Sequence, residues 1–249
     1  MKIVLVLSGG AARGAFHLGV IEALQEAGVD IAAVSGSSIG AIVGAALAAG
    51  TPPRRQMEIF KSKAFRKALK FNGLKKGVLR IDQKSDILQK LVPVPRLESM
   101  RIPIHITTLD LYSGEIVRFA KGDAISLCVA SSAVVPLFRP ISYEGYRLVD
   151  GGIMDNLPVE PLKQYDLPIV AVDLHPQQRG YNDSMWGIVK RSVFLMWRAS
   201  VQRQIGMCDH YITHPDLSTY PLFSFKDLDA MFELGYRTAQ AYPVLKERE

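Results

Sequence analysis

Short apolar runs alternate with longer stretches of helical periodicity along the whole chain. The apolar runs predict strands at residues 2–7, 31–34, 102–108, 115–119, 147–149 and 169–172. The longer stretches predict helices at residues 15–27, 39–49, 56–70, 85–91, 124–131, 185–205 and 227–240. Strands separated by helices form parallel sheets that are covered on both faces. The pattern therefore predicts an α/β fold of three layers, α/β/α, with a mostly parallel central sheet.

One segment departs from this alternation. Residues 51–101 are helical in pattern, rich in basic side chains and bounded by prolines at both ends. Such a stretch is typical of an insertion. We therefore expect a small helical basic cap within a single domain of residues 1–249.

The composition narrows the class of protein. Of the 249 residues, 48% are apolar and 22% are charged, which is the balance of a globular protein and not of a disordered chain. Two cysteines are too few for a disulfide scaffold or a cysteine-rich metal domain. Thirty basic and 24 acidic side chains give a net charge of +6, which favours an anionic partner, either nucleic acid or a lipid surface.

The excess charge is concentrated in residues 54–80, which contain ten basic side chains and one acidic side chain, Glu58. Apolar residues at helical spacing in this segment, such as Met57 and Phe60, predict an amphipathic basic helix. Two interpretations stay open: a helix that packs on the core with a solvated basic face, or a lid that lies on an anionic membrane. Nucleic-acid binding is not expected, because the sequence carries no recognition motif.

Two apolar segments bear on localisation. The first, residues 3–7, is too short for a signal peptide, so we expect a cytoplasmic protein. Any contact with a membrane is then expected to be peripheral and to involve the basic helix. Residues 31–53 carry no charge, and their length matches a membrane span. Small polar residues at 35–38 interrupt that run near its start. A strand, a sharp turn and a buried small-residue helix therefore explain it better than a transmembrane helix.

Residues 36–40 read Gly-Ser-Ser-Ile-Gly and fit the pattern G-x-S-x-G with Ser38 at the centre. A predicted strand precedes them and a predicted helix follows, which is the setting of a nucleophile elbow. Gly36 and Gly40 avoid side-chain clashes across such a turn, and the start of the helix offers free N–H groups to an oxyanion. The alternative is a small-residue turn in which Ser38 caps the helix.

Two further glycine motifs follow predicted strands. Residues 8–14 read Ser-Gly-Gly-Ala-Ala-Arg-Gly, a loop that can turn N–H groups towards an anion. This loop fits neither the dinucleotide pattern nor the P-loop pattern, which disfavours a nucleotide ligand. Residues 150–152 read Asp-Gly-Gly and place Asp150 at the end of a strand, where parallel sheets hold their sites. An ordinary Asp-Gly turn is the alternative.

A serine nucleophile needs a base, and the histidines are poor candidates. His17 lies within a predicted helix and is expected to be a packing residue. His175 follows a predicted strand, where a triad histidine can fall, and is kept as a minor alternative. His210 and His214 flank a strand-like stretch near the C-terminus and are interpreted as structural. No cluster of histidine, cysteine or carboxylate residues has the spacing of metal ligands, so we expect no metal.

In order and spacing, the glycine-rich loop at residues 8–14, the elbow at Ser38 and the downstream Asp150 motif resemble the patatin-like phospholipases. The small-residue stretch at 130–138 and the run at 216–235 are similar to the same family, so the resemblance covers nearly the whole chain. One departure concerns the family's glycine triplet, which reads Gly-Gly-Ala here and ends at Ala11. A methyl group at that position would narrow an oxyanion pocket.

The resemblance implies a patatin-like fold and a Ser–Asp dyad without histidine, in which Ser38 is the nucleophile and Asp150 the general base. The implied activity is hydrolysis of lipid or lysophospholipid esters through an acyl-enzyme, with no cofactor. Acyl transfer from the same acyl-serine and a low-turnover regulatory or scaffold protein stay open as alternatives. The implied oxyanion loop comprises Gly9, Gly10, Ala11, Arg13 and Gly14, and the supporting glycines of the elbow and the Asp-Gly motif are Gly36, Gly40, Gly151 and Gly152.

Overall fold

The computed structural model describes residues 1–71, 79–81, 85–177 and 180–242. The strands are β1 (Lys2–Leu7), β2 (Asp30–Ser37), β3 (Leu69–Phe71), β4 (Leu79–Ile81), β5 (Ile104–Asp110), β6 (Ile116–Phe119), β7 (Ile141–Tyr143), β8 (Tyr146–Asp150), β9 (Ile169–Val172) and β10 (His210–Ile212). The helices are α1 (Gly14–Glu26), α2 (Ile39–Ala48), α3 (Pro53–Lys61), α4 (Lys63–Ala68), α5 (Asp86–Leu91), α6 (Ala124–Ser131), α7 (Met185–Ile205) and α8 (Leu228–Gln240).

A mixed sheet lies at the centre, with the strand order β10-β9-β1-β2-β5-β8-β7 and with β6 also paired to β5. The strands from β10 to β5 are parallel to one another, whereas β6 and β8 pair antiparallel with β5, and β7 with β8. The reversal of β8 relative to β7 has a local cause. They are joined by Glu144 and Gly145, both at positive φ (46° and 88°), which is a two-residue hairpin turn.

Both faces of the sheet are covered, as a three-layer fold requires. In β1, Ile3, Leu5 and Leu7 point into one apolar cluster, and Val4 and Val6 point into the other. The larger cluster lies under α1, α2, α6 and α8 with the first helices of the cap, and the smaller one lies under the C-terminal half of α7. The predicted α/β/α architecture is confirmed.

The segment at residues 31–53 folds as a strand, a turn and a buried helix, as predicted. The strand β2 is longer than its apolar residues suggest, because it continues through Ser35, Gly36 and Ser37 into the elbow. Within the described parts of the chain, no helix combines the length and the apolar character that a membrane span requires.

The basic helix predicted at residues 56–70 is broken in two. Ser62 is extended (φ −67°, ψ 146°) between α3 and α4, and its hydroxyl accepts a hydrogen bond from the Phe65 N–H, which caps the second helix. The chain then leaves the helical conformation at Leu69 and enters β3, which pairs with β4. The prediction of one continuous helix is therefore wrong. Of the ten basic residues counted in the segment, Lys75 and Lys76 lie outside the described residues.

The apolar faces of α3 and α4 are buried against the core. Met57, Phe60 and Phe65 belong to the larger apolar cluster, which leaves these side chains unavailable to a membrane in this conformation. Lys61 forms a salt bridge with Asp229 of α8 at 2.7 Å. The structure thus favours the interpretation in which this segment packs on the core with a solvated basic face.

Candidate active site

Ser38 lies in a sharp turn between β2 and α2. Its backbone has φ 54° and ψ −125°, a conformation that side-chain-bearing residues rarely adopt. The turn is tight enough that a Cβ on Gly36 would collide with the backbone of Gly40, and a Cβ on Gly40 would collide with the Leu7 carbonyl of β1. These contacts show that both glycines of the G-x-S-x-G motif are sterically required, as expected for an elbow.

The backbone of the elbow is held by α6. The Ser38 N–H donates to the Ser131 hydroxyl at 2.9 Å, and that hydroxyl donates to the Thr107 carbonyl of β5 at 2.7 Å. Ser131 is buried. The strained turn is therefore fixed by a side chain that lies far away in sequence.

Asp150 reaches the same place from the opposite direction. Because β8 is antiparallel to β5, Asp150 pairs with Thr108, while Ser37 pairs with the neighbouring Thr107 on the other side of β5. The sequence-based expectation that Asp150 ends a parallel strand is wrong, since β7 runs in the direction of β5 and the two-residue turn after it reverses the chain into β8. Gly151 permits the approach, because a Cβ there would lie 2.5 Å from the Thr107 carbonyl oxygen.

The carboxyl group of Asp150 is buried, and burial raises its pKa to about 6. A side-chain hydrogen bond with Ser38 and a 2.7 Å hydrogen bond from the Gly152 N–H act in the opposite direction and limit the rise. The result is a carboxylate that is ionised near neutral pH and yet more basic than an exposed aspartate. A general base for a serine hydroxyl needs this combination.

The loop at residues 8–14 lies beside Ser38. A Cβ on Gly9 would stand 3.0 Å from the Ser38 Cβ, which shows how closely the two segments approach. The Gly9 N–H is already used, since it donates to the Asn156 side chain at 3.1 Å. Among the described residues, the N–H groups of Gly10 and Ala11 donate to no protein acceptor, which leaves them available to an oxyanion.

Arg13 and Gly14 have other tasks. The Arg13 guanidinium donates to the carbonyls of Leu174 (3.1 Å) and Tyr220 (2.8 and 3.0 Å), so it ties the loop to two neighbouring segments. Its backbone N–H donates to the Gly10 carbonyl at 3.2 Å. Gly14 faces Ile39, against which a Cβ would clash. That both residues belong to an oxyanion loop stays a prediction, and their contacts in the structure are those of supports.

The histidines are engaged elsewhere. His17 is fully buried in α1 and donates from Nε2 to the Ser8 carbonyl at 2.8 Å, and burial lowers its pKa to about 4. The predicted packing role of His17 is confirmed. Burial also holds the pKa of His175 well below its ordinary value, and its ring packs on Trp197 with 4.0 Å between the ring centres. His175 lines the back of the oxyanion loop, where a Cβ on Gly10 would stand 3.2 Å from its Nε2.

Two residues of this site escaped the sequence reasoning, namely Ser131 and Asn156. Ser131 belongs to the small-residue stretch at 130–138, and Asn156 follows the Asp-Gly-Gly motif in the same loop. The amide oxygen of Asn156 lies between the oxyanion loop and Gly152, where a Cβ on Gly152 would be 2.6 Å from it. Its position in the motif D-G-G-x-x-x-N was the available signal.

A small apolar cavity of about 20 Å³, with room for about one water molecule, lies one helical turn from the elbow. Ile42, four residues after Ser38 on α2, forms part of its wall, and Cys128 and Val129, three and two residues before Ser131 on α6, form another. The cap closes it with α5 and the residue that follows. The full lining is Ile42, Leu88, Leu91, Val92, Ile125, Cys128 and Val129. The described residues contain no group of three histidine, cysteine or carboxylate side chains placed to hold a metal ion.

The class of protein follows from these features: a three-layer α/β/α fold with a serine elbow beside a buried aspartate and a glycine-rich loop. Comparison with known families makes this specific. The model of the patatin-like phospholipase family matches residues 5–163, and the chain belongs to that family. In the comparison of folds, VipD from Legionella pneumophila superposes with a TM-score of 0.55 over 98% of this chain and 67% of its own, at 16% identity.

Curated relatives agree with this assignment. An uncharacterised NTE family protein of Mycobacterium tuberculosis is 32% identical over 182 residues, which cover 72% of this chain and 51% of the relative. Lysophospholipase NTE1 of Cryptococcus neoformans is 28% identical over 96% of this chain and 17% of the relative. The chain thus spans about half of the mycobacterial relative and a smaller part of the fungal one.

Proposed function

We propose that this protein is a serine hydrolase of lipid esters, with lysophospholipids as the substrate class, and that it acts through a Ser38–Asp150 dyad. The family and its lysophospholipase relatives support an activity on lipid esters. The observation that carries the residue roles is the position of the buried Asp150 carboxyl group beside the strained Ser38. No histidine takes part in this pair.

In the first half of the cycle, the Ser38 Oγ attacks the carbonyl carbon of the ester while its proton passes to the Asp150 carboxylate. The N–H groups of Gly10 and Ala11 donate to the oxyanion that forms. Collapse of the tetrahedral intermediate breaks the ester C–O bond. The alcohol portion of the substrate leaves with the proton from Asp150, and the acyl group stays on Ser38.

In the second half, Asp150 accepts a proton from a water molecule, which attacks the acyl carbon. The same two N–H groups stabilise the second oxyanion. The Ser38 ester bond then breaks, the fatty acid departs, and the proton returns from Asp150 to the Ser38 oxygen. The dyad and the loop are restored, so no group outside the chain is consumed except water.

The test combines two neighbouring serines. In the wild-type chain, a fluorophosphonate probe is expected to label Ser38 and to block hydrolysis of a short-chain nitrophenyl ester and of lysophosphatidylcholine. Ser38→Ala is expected to abolish both labelling and hydrolysis. Ser37→Ala is the matched control, since Ser37 is buried at the end of β2 and its hydroxyl has no partner among the described residues. Retained hydrolysis in Ser38→Ala, or no hydrolysis by the wild type, would refute the proposal.

A further inference from the structure

The first half of α7 is an unusual surface for a folded protein. Only Arg198, Ser200 and Val201 of this helix are buried, and all three lie in its second half. The first half carries large apolar side chains that are exposed to solvent, with Trp186 at 74% and Met196 at 76%. Isolated apolar side chains are common on surfaces, but a contiguous group of this size marks an interaction site. Its members are Met185, Trp186, Ile188, Val189, Val193, Leu195 and Met196.

These side chains share one face. At about 100° per residue, all of them fall within about half of the helix circumference. Lys190 and Arg191 stand just outside the two margins of this arc. The helix is thus apolar on one side with a cation at each edge, which is the pattern of a helix that lies in a lipid interface, where the apolar side enters the acyl region and the cations reach the head groups.

The exposed half projects from the edge of the sheet that holds the candidate active site. Arg198 pairs with Asp173, which directly follows β9, at 2.9 Å. From that point α7 runs back across the sheet towards β10, which is parallel to β9. Residues 185–196, about 18 Å of helix, precede this contact and therefore lie on the side of the carboxyl ends of the parallel strands. The loop at residues 8–14 and Ser38 lie at the same ends.

A continuous set of contacts joins this helix to the oxyanion loop. Trp197 of α7 packs on the His175 ring with 4.0 Å between ring centres. His175 stands directly behind Gly10, one of the two residues with available N–H groups. A surface that binds α7 would therefore lie next to the mouth of the candidate active site.

We propose that residues 185–196 of α7 are the surface by which this protein docks on an anionic lipid membrane. The charge of the segment selects this occupant. Residues 185–196 contain two basic side chains, Lys190 and Arg191, and no acidic one. Anionic lipid head groups complement such a segment. The proposal goes beyond the proposed chemistry, and its test does not depend on hydrolysis.

A second copy of the chain fits this face less well. Antiparallel pairing of two 185–196 segments would bring the central Lys190 and Arg191 of one copy next to those of the other. Like charges at such short range oppose association. The α3–α4 segment is more basic than α7, but its apolar side chains lie in the core. It can therefore contact a membrane only through its charged side chains.

The experiment uses flotation of the full chain with vesicles made of equal parts phosphatidylcholine and phosphatidylglycerol, and with vesicles of phosphatidylcholine alone. All variants carry Ser38→Ala so that the lipids stay intact. We expect binding to the anionic vesicles and a loss of about 100-fold in partitioning for the combined Trp186→Ser, Val193→Ser and Met196→Ser variant. Charge reversal by Lys190→Glu and Arg191→Glu is expected to weaken partitioning at least about 30-fold.

The matched control is Lys63→Glu with Lys67→Glu on α4, which makes the same change of charge on exposed positions of the other basic surface. We expect these substitutions to weaken partitioning much less than those on α7. Equal losses in the two charge-reversal variants, or unchanged binding after the α7 substitutions, would overturn the proposal. Sedimentation gives the third outcome. If the chain does not bind vesicles but forms a dimer, and the combined serine substitutions on α7 abolish that dimer, the face belongs to a second copy and the docking proposal is overturned.

Trp186 gives an independent readout. The chain has two tryptophans, so Trp197→Phe leaves Trp186 as the only one. Its emission is expected to shift to shorter wavelength on anionic vesicles and to be quenched by brominated acyl chains. Hydrolysis of a soluble short-chain ester, measured with Ser38 intact, is expected to be unchanged in the α7 variants, which shows that they fold. Vesicle binding without any ester hydrolysis would refute the proposed function and leave the docking proposal standing.

Discussion

The N–H of Ser38 donates to the Ser131 hydroxyl at 2.9 Å, and this hydroxyl donates onward to the Thr107 carbonyl at 2.7 Å. A buried backbone donor in a strained turn thus depends on one side chain. We expect Ser131→Ala to lower the free energy of unfolding by about 1–3 kcal/mol, because it leaves buried polar groups of the elbow and of β5 unpaired. Chemical denaturation of the purified variants measures this.

Ser132 provides the comparison for that prediction. It is the next residue, and its hydroxyl has no hydrogen-bond partner within the described residues. Ser132→Ala should therefore change the free energy of unfolding little. If both substitutions cost the same, the hydrogen bond to the elbow contributes nothing specific. Ser131→Ala should also slow fluorophosphonate labelling of Ser38, since the elbow loses its restraint.

The dependence of activity on pH follows from Asp150. The carboxyl must be ionised to accept the Ser38 proton, and burial raises its pKa to about 6. We expect kcat/KM for a neutral soluble ester to fall as the pH drops through about 6 and to reach a plateau above neutrality. Because burial holds the pKa of His17 to about 4 and that of His175 well below its ordinary value, neither histidine accounts for such a midpoint. A profile that is flat from weakly acidic to neutral pH would contradict the assignment.

Substitution of two nearby aspartates, Asp150 and Asp155, distinguishes the proposed general base from a residue that only stabilises the structure. Asp150→Asn is expected to lower kcat by about 10²–10⁴-fold, the range of general-base catalysis. Asp155 is equally buried, but it forms a salt bridge with Arg118 at 2.6 Å and has no contact with Ser38 in the described structure. Asp155→Asn should therefore reduce stability while the pH midpoint of the remaining activity stays in place.

Ala11, the departure from the family's glycine triplet, is a matter of backbone strain. Its φ of 50° costs an alanine about 1–2 kcal/mol, whereas glycine adopts this conformation freely. Glycine also lowers the free energy of unfolding by about 0.4–1 kcal/mol, because it gives the unfolded chain more conformational entropy. Ala11→Gly is therefore expected to be neutral or to stabilise by up to about 1.6 kcal/mol. Ala12→Gly, one residue on without a positive φ, should destabilise by about 1 kcal/mol. Thermal unfolding of both variants tests the contrast, and destabilisation by Ala11→Gly would contradict it.

Periodicity and glycine motifs predicted much of the fold. The β9 strand and the helices α6 and α7 have the bounds expected from the sequence, and the elbow lies between a strand and a helix as predicted. Local patterns succeed here because each element is either apolar throughout or bounded by a strong turn signal. The break at Ser62 was missed, since a hydroxyl that caps a second helix interrupts no apolar repeat.

Long-range geometry set the limit of sequence reasoning at the site. The sequence proposed Ser38 and Asp150, but it could not reveal that Asp150 arrives on an antiparallel strand, because strand direction depends on a turn two residues long. It placed Arg13 in the oxyanion loop without showing that its guanidinium is used by the Leu174 and Tyr220 carbonyls. Those acceptors lie in segments distant in sequence, and only the folded chain brings them together.

The position of β1 in the sheet has a consequence for biosynthesis. It precedes both β2 and β9 along the chain, yet it lies between them in the sheet. Leu174, just after β9, is also the residue that closes over Gly10. A chain still emerging from the ribosome therefore holds its elbow and loop beside an open sheet edge until β9 has been synthesised and can insert. Whatever chemistry the site performs can therefore begin only after the ribosome has added β9 and Leu174.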